Sequence, residues 1–283
     1  MIKEAGLEML DEVSDFVFGL NQIKQYQCRP FKVDYVLSVI KEIFRELIEH
    51  EEDKLLVNII DDELVGVLGL FTEVNEKYLQ GMPGIYAKND FQKIGNEFIR
   101  YLELEYKSFN MMFAYPKENV NGIKLMDNNE FKLLEIASIY ELNVFVERLN
   151  KKIPILNNDE VKETEIKRFY NEYQGDIYWT LNKIMADETS WVLKHFVEDG
   201  LIRASIFIRI YDDVSAEVFG IIREKEFSNH EVIRELLVEA SIECQDMGIN
   251  TITLFSEFDS DSSIAEDIGF KLVDTHLTYI RLL

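Results

Sequence analysis

The sequence predicts a mixed α/β protein built from two tandem copies of one domain, each a mixed, mostly antiparallel sheet flanked by helices. Three pairs of segments carry that prediction. Phe131–Tyr140 reads FKLLEIASIY, and Phe270–Tyr279 reads FKLVDTHLTY 139 residues later. IDDELV at 60–65 recurs as VEDGLI at 197–202, 137 residues later. Each is a polar turn between β-rich apolar runs, the pattern of a hairpin. Ile94, Phe98, Ile99 and Leu102 keep a helical period, and Val232, Leu236, Leu237 and Ala240 keep it again 138 residues later. Near-equal offsets in one chain order mark a duplication.

The elements follow in order. Helices are expected over 5–25 and 33–50, then a hairpin of LLVNII (55–60) and LVGVLGLF (64–71). A strand near 82–88, a helix at 91–107, a strand at 109–115 and a short helix at 120–129 come next, with two final strands within 131–146. The second half repeats this order. Helices are expected at 158–173 and 178–187, and a hairpin at 191–197 and 201–210. A strand at 216–222, a helix at 229–246, a strand at 250–256, a short helix at 261–267 and a final strand within 270–282 complete it. NKKIPILNND (150–159), polar and carrying Pro154, reads as the linker, so the expected domains are 1–149 and 150–283.

The totals agree with two domains. The chain has 283 residues, 47% hydrophobic and 29% charged, which suffices for packed cores. Its net charge of −23 disfavours nucleic acid and anionic membrane surfaces as partners. Cys28 and Cys244 form no CxxC pair and suggest neither a disulfide framework nor a zinc site. Glu4 and Glu8 interrupt the stretch where a signal peptide needs an apolar core, and no apolar run is long enough to span a bilayer. The expectation is a reduced, cytoplasmic protein without a metal. Oligomeric state is not legible.

The segment NVNGIKLMDNNEF (119–131) narrows the fold. It resembles the segment of the GNAT superfamily of acyl-CoA-dependent N-acyltransferases in which an Asn opens a short helix, a small residue and an aliphatic–aromatic pair follow, and Gly-Phe closes. Asn119, Gly122, Leu125–Met126 and Glu130–Phe131 hold those positions. In the second half Ile264–Ala265 and Gly269–Phe270 match, with Phe258 at the Asn position.

The resemblance implies acetyl-CoA, or another acyl-CoA, as co-substrate and an amine as acceptor. The family's phosphate loop reads Gln/Arg-x-x-Gly-x-Gly/Ala at a helix start, where free N–H groups and the helix dipole meet the pyrophosphate. The first half offers Asp90-Phe91-Gln92-Lys93-Ile94-Gly95, with Gly95 at the last glycine; a second register starts at Gln92 and places Glu97 there. Asp90 is equally an ordinary N-cap. The strand GIYAK (84–88) would present backbone groups to the pantetheine arm. The residues expected at the cofactor are therefore Ile85, Ala87, Gln92, Lys93, Ile94, Gly95, Asn96 and Asn119. The second half reads Ser228-Asn229-His230-Glu231-Val232-Ile233, with no glycine, and Ser228 with Glu231 fits a capping box. That half is not expected to take the cofactor in the family manner.

Acyl transfer needs a base for the amine and an acid for the leaving thiolate. Many GNAT enzymes use a Tyr of the short helix as the acid, and Met126 and Ala265 stand there instead. Glu73 is a candidate base, or a solvated acid at a strand end. Tyr115 is a candidate hydroxyl, or a core tyrosine. His50, His195, His230 and His276 form no cluster in sequence, and no catalytic residue is assigned. Tyr140 and Tyr279, at one repeat position, suggest shared packing in the closing strands. Two functions stand: an acyl-CoA-dependent N-acyltransferase with its cofactor in the first half, and a non-catalytic GNAT-like binding or scaffold protein.

Overall fold

The computed structural model describes residues 1–28, 36–143, 153–173, 180–211, 213–256 and 259–282. The chain forms two compact units, residues 1–136 with 275–283 and residues 137–274.

Unit 1 begins with β1 (Ile2–Glu4), α1 (Leu10–Asn21) and α2 (Leu37–Glu49). Strands β2 (Lys54–Ile60), β3 (Glu63–Glu73) and β4 (Tyr78–Ala87) lead to α3 (Phe91–Glu105), β5 (Asn110–Pro116) and α4 (Val120–Asn128). Asp61 and Asp62, at φ 52° and 63°, make the tight β2–β3 turn, a left-handed conformation that Asp tolerates. β4 runs antiparallel to β3 and parallel to β5. The sheet buries Leu55, Leu56, Val57, Val67 and Leu68 with Phe44 of α2 and Phe98 of α3, the helical period having set which faces turn inward.

Unit 2 repeats the plan. It contains β7 (Ile155–Asn157), α5 (Glu163–Tyr173), α6 (Leu181–Ala186), β8 (Trp191–Glu198), β9 (Leu201–Ile210) and β10 (Ser215–Arg223). It continues through α7 (His230–Asp246), β11 (Thr251–Ser256) and α8 (Asp259–Ile268). Asp199-Gly200, at φ 53° and 78°, makes the equivalent hairpin turn.

The closing strands are exchanged. β6 (Lys132–Leu142) follows α4 in the chain, yet its residues 138–142 pair antiparallel with β11. β12 (Lys271–Arg281) follows α8, yet its residues 276–281 pair antiparallel with β5. Each repeat thus supplies the last strand of the other repeat's sheet, which is why the units divide at 136/137 and 274/275. The boundary expected at 149/150 falls outside the described residues.

Three local expectations differ from the structure. Within the expected linker, Ile155–Asn157 is an edge strand paired with β8, because Ile155 is buried opposite Phe196. The helix expected over 5–25 begins only at Leu10, and Ile2–Glu4 before it is a strand on β2. Among the described residues one strand, not two, follows α4; residues 144–146 lie outside them, as do 33–35, 150–152, 178–179 and Phe258.

Candidate functional site

In each unit the two parallel strands separate partway along. β4 pairs with β5 only over 78–81 and 110–113, while β4 runs on to Ala87. β10 pairs with β11 only over 215–218 and 251–254, while β10 runs on to Arg223. A bulge accompanies the separation. The β3–β4 register shifts opposite Gly69, and the β10–β9 register shifts between Val218 and Gly220. Gly69 permits the first bulge, since a Cβ there would lie 2.5 Å from the Met82 carbonyl oxygen. A slot therefore opens between parallel strands in both units. One wall is backbone without a ladder partner on that side, which suits an extended, amide-bearing ligand.

In unit 1 the slot is filled by the chain itself. Cys28 is 1% exposed, and its Sγ donates to the Ile85 carbonyl oxygen at 3.4 Å. Its N–H reaches the Tyr86 hydroxyl at 3.3 Å, and that hydroxyl donates to Asn21 Oδ1 at 2.8 Å. Asn119 caps α4 by accepting from the Gly122 N–H at 2.8 Å, and its Nδ2 donates to the Gln27 carbonyl at 2.7 Å. Tyr115 lies fully buried at the same place. Burial, and then the nearby Cys28 thiol, pushes its phenol well above the ordinary tyrosine range.

Apart from Lys93, the other residues expected at the cofactor are engaged in packing or in hydrogen bonds with neighbouring side chains and backbone. Asp90 is the N-cap of α3, accepting from the Lys93 N–H at 3.1 Å, and Lys93 itself is exposed. Gln92 donates to the Asn121 carbonyl at 2.9 Å and accepts from Asn128 at 3.1 Å, while Asn96 accepts from Asn129 at 2.8 Å. Ile94 is buried, with its Cγ2 where a side chain on Gly66 would stand. Gly95 faces Leu125 of α4, and Ala87 is buried in the β4 wall. Asp61, Asp62 and Glu63, with Glu12 and Asp15, line a cleft beside the β2–β3 turn, where Glu63 pairs with Lys88 at 3.2 Å. Such a field opposes a pyrophosphate. Glu73 lies opposite Tyr78, at the paired end of β4 away from the slot.

In unit 2 the slot is an open cleft of about 630 Å³. Gly220, Ile222 and Arg223 form one wall, and Ser256, Ser260 and Asp261 the other. Arg223 and Asp261 meet at 2.6 Å, and Ser262 donates to Ser256 at 3.0 Å. At the start of α7 Asn229, not Ser228, is the cap, its Oδ1 accepting from the N–H groups of Glu231 at 3.1 Å and Val232 at 3.3 Å. An Asn side chain next to the first helical residue reaches these N–H groups directly, which removes the need for the expected capping box.

Loop glycines do not mark this cleft. A repeated signal was present in GIYA (84–87) and GIIR (220–223), where a Gly inside a strand marks a bulge. Met126 and Ala265 are both fully buried in their units' cores.

No family model matches the chain, and no curated protein matches it. Solved structures do match in fold. A GCN5-related N-acetyltransferase from Sphaerobacter thermophilus superposes with a TM-score of 0.77 at 10% identity, covering 100% of this chain and 95% of its own. A tandem GNAT protein from the clavulanic acid biosynthesis pathway gives 0.62 at 8% identity, covering 100% and 98%. A GNAT-family acetyltransferase from Colwellia psychrerythraea gives 0.58 at 14% identity, covering 100% of both chains. Taken with the repeated slot between parallel strands, these likenesses show that the chain carries the fold of the GNAT superfamily twice in tandem.

Proposed function

We propose that the protein is an acyl-CoA-dependent N-acyltransferase that takes acetyl-CoA in the slot of unit 2 and passes its acyl group to a small-molecule amine. The observation that carries this reading is the open slot between β10 and β11. Gly220–Arg223 keep their β9 partners and have no β11 partner in the ladder, so their other edge faces the cleft. An extended arm bearing amides can pair with such an edge as a strand would. The sequence placed the cofactor in the first half; the filled slot and the carboxylates of unit 1 favour the second.

In the reaction the amine nitrogen attacks the thioester carbonyl carbon, the carbon–sulfur bond breaks, and the proton lost by nitrogen ends on the thiolate. Ser256, Ser260 and Asp261 are the polar side chains of the α8-side wall, Asp261 being paired with Arg223 at 2.6 Å, and that proton traffic is assigned to this group. The net charge of −23 favours a cationic acceptor over an anionic one.

A second reading, a non-catalytic pair, is supported by Met126 and Ala265, neither of which can donate a proton. Calorimetric titration with acetyl-CoA, followed by a thiol-release assay across an amine panel, separates the two. One equivalent bound with turnover supports the transferase. Binding without turnover of any amine supports the second reading, and no binding rejects acyl-CoA altogether.

A further inference from the structure

The filled slot of unit 1 has a chemical regularity. In Cys28 the sulfur, Cβ, Cα and backbone nitrogen are followed by the Gln27 carbonyl. The thiol end of coenzyme A has the same bonded order: sulfur, methylene carbons, amide nitrogen, carbonyl. The groups that receive these atoms are slot groups. The Ile85 carbonyl accepts from the sulfur at 3.4 Å, and the Asn119 amide donates to the carbonyl at 2.7 Å. Asn119 Nδ2 also lies 3.8 Å from Sγ, and the Cys28 N–H is taken by Tyr86. Ile85 and Asn119 are two of the residues that the family resemblance reserves for the cofactor. Gly84 lies beside the occupant: a Cβ there would stand 3.2 Å from the Tyr115 ring and, at ordinary contact distance, 3.4 Å from Cys28 Sγ.

We infer that Gln27–Cys28 is a built-in stand-in for the thiol end of the cofactor arm, and that it holds the slot of unit 1 closed to acyl-CoA. The inference rests on the reading that a slot of this kind takes a thioester arm. It gives the chain one cofactor site instead of two. Burial also keeps the Cys28 thiol protonated, consistent with a donor to Ile85 and not a nucleophile.

The test follows Cys28 with a thiol reagent in a Cys244→Ala background, with and without saturating acetyl-CoA. The occupied slot predicts labelling on the order of 1,000-fold slower than in the urea-unfolded chain, and unchanged by acetyl-CoA. Asn119→Ser keeps a capping side chain but loses the amide donor, and Tyr86→Phe keeps the ring but loses the hydroxyl. Each is expected to speed labelling at least ~10-fold. Fast labelling of the native chain, acceleration by acetyl-CoA, or indifference to both variants overturns the inference. Binding of two equivalents by calorimetry overturns it and leaves the transferase reading intact. If no acetyl-CoA binds at all, the transferase reading falls, and the protection of Cys28 with its response to the two variants still decides whether the slot is occupied.

Discussion

A Cβ placed on Gly95 would stand 2.5 Å from Cδ2 and 2.9 Å from Cδ1 of Leu125, a fully buried side chain. Gly95 is therefore where α3 meets α4, and helix packing accounts for the glycine without a phosphate. Gly95→Ala should destabilise the protein by about 1 kcal/mol, the overpacking cost exceeding the gain in helix propensity. In a Leu125→Ala background the sign should reverse, with Gly95→Ala stabilising by about 1 kcal/mol. Urea denaturation of the four proteins checks this, and additive effects would rule out the contact.

The cofactor assignment predicts opposite responses at the two helix starts. Ser260→Trp, which fills the unit 2 cleft, should weaken acetyl-CoA binding at least ~10-fold, or about 1.4 kcal/mol. Lys93→Glu, on the exposed first turn of α3, should leave the affinity unchanged. The reverse pattern in calorimetry would return the cofactor to unit 1.

Strand exchange sets which unit each closing tyrosine supports. Tyr140 lies opposite Leu254 in the core of unit 2, and Tyr279 lies opposite Phe113 in the core of unit 1. Either Tyr→Ala should cost roughly 3 kcal/mol. Hydrogen exchange should locate the loss in the other repeat: in α7 and β11 for Tyr140→Ala, in α3 and β5 for Tyr279→Ala.

His195 predicts a pH dependence. It is fully buried between Ser205, whose Oγ is 2.9 Å from Nδ1, and Asn158, 3.3 Å from Nε2. Burial first, and then the neighbouring Lys194, lowers its pKa to about 4. The unfolded chain binds this proton near pH 6.5 and the folded chain does not, so stability falls with pH through that window. From pH 7 to pH 4 the loss should be about 3 kcal/mol. His195→Gln should flatten that part of the denaturation profile; an unchanged slope would show that His195 is not responsible.

Lys194 is 8% exposed at its side chain and pairs with Glu243 and with Asn157 Oδ1, the latter at 2.5 Å. Glu243→Ala leaves a buried ammonium with one neutral acceptor and should cost about 1–2 kcal/mol. Lys194→Met removes the charge itself and should cost less, as measured by thermal unfolding.

The repeat, both hairpins and α3 and α7 were legible because each is written in local period. The Asp-rich turns carried their own signal in residues that accept a left-handed conformation. The exchange of β6 and β12 was not legible: FKLLEIASIY and FKLVDTHLTY specify a closing strand, and nothing in their alternation says which sheet is closed. The occupant Gln27–Cys28 lies in a stretch without periodicity, and its partners Ile85, Tyr86 and Asn119 are distant in sequence. Gly95 was visible as a residue and not as a contact, since only the fold places Leu125 against it.

The exchange also fixes an order of assembly. Synthesis runs from the N-terminus, so unit 2 receives its closing strand β6 before the rest of that unit exists. Unit 1, although nearly all of it is made first, waits for 276–281, made after unit 2, to cover β5. A nascent chain therefore exposes the β5 edge throughout the making of unit 2, an interval in which pairing with another chain competes with completion. The same interlock binds the duplicates genetically. Separating the two repeats would leave two fragments, each missing the strand that closes its sheet and each carrying the strand that belongs to the other.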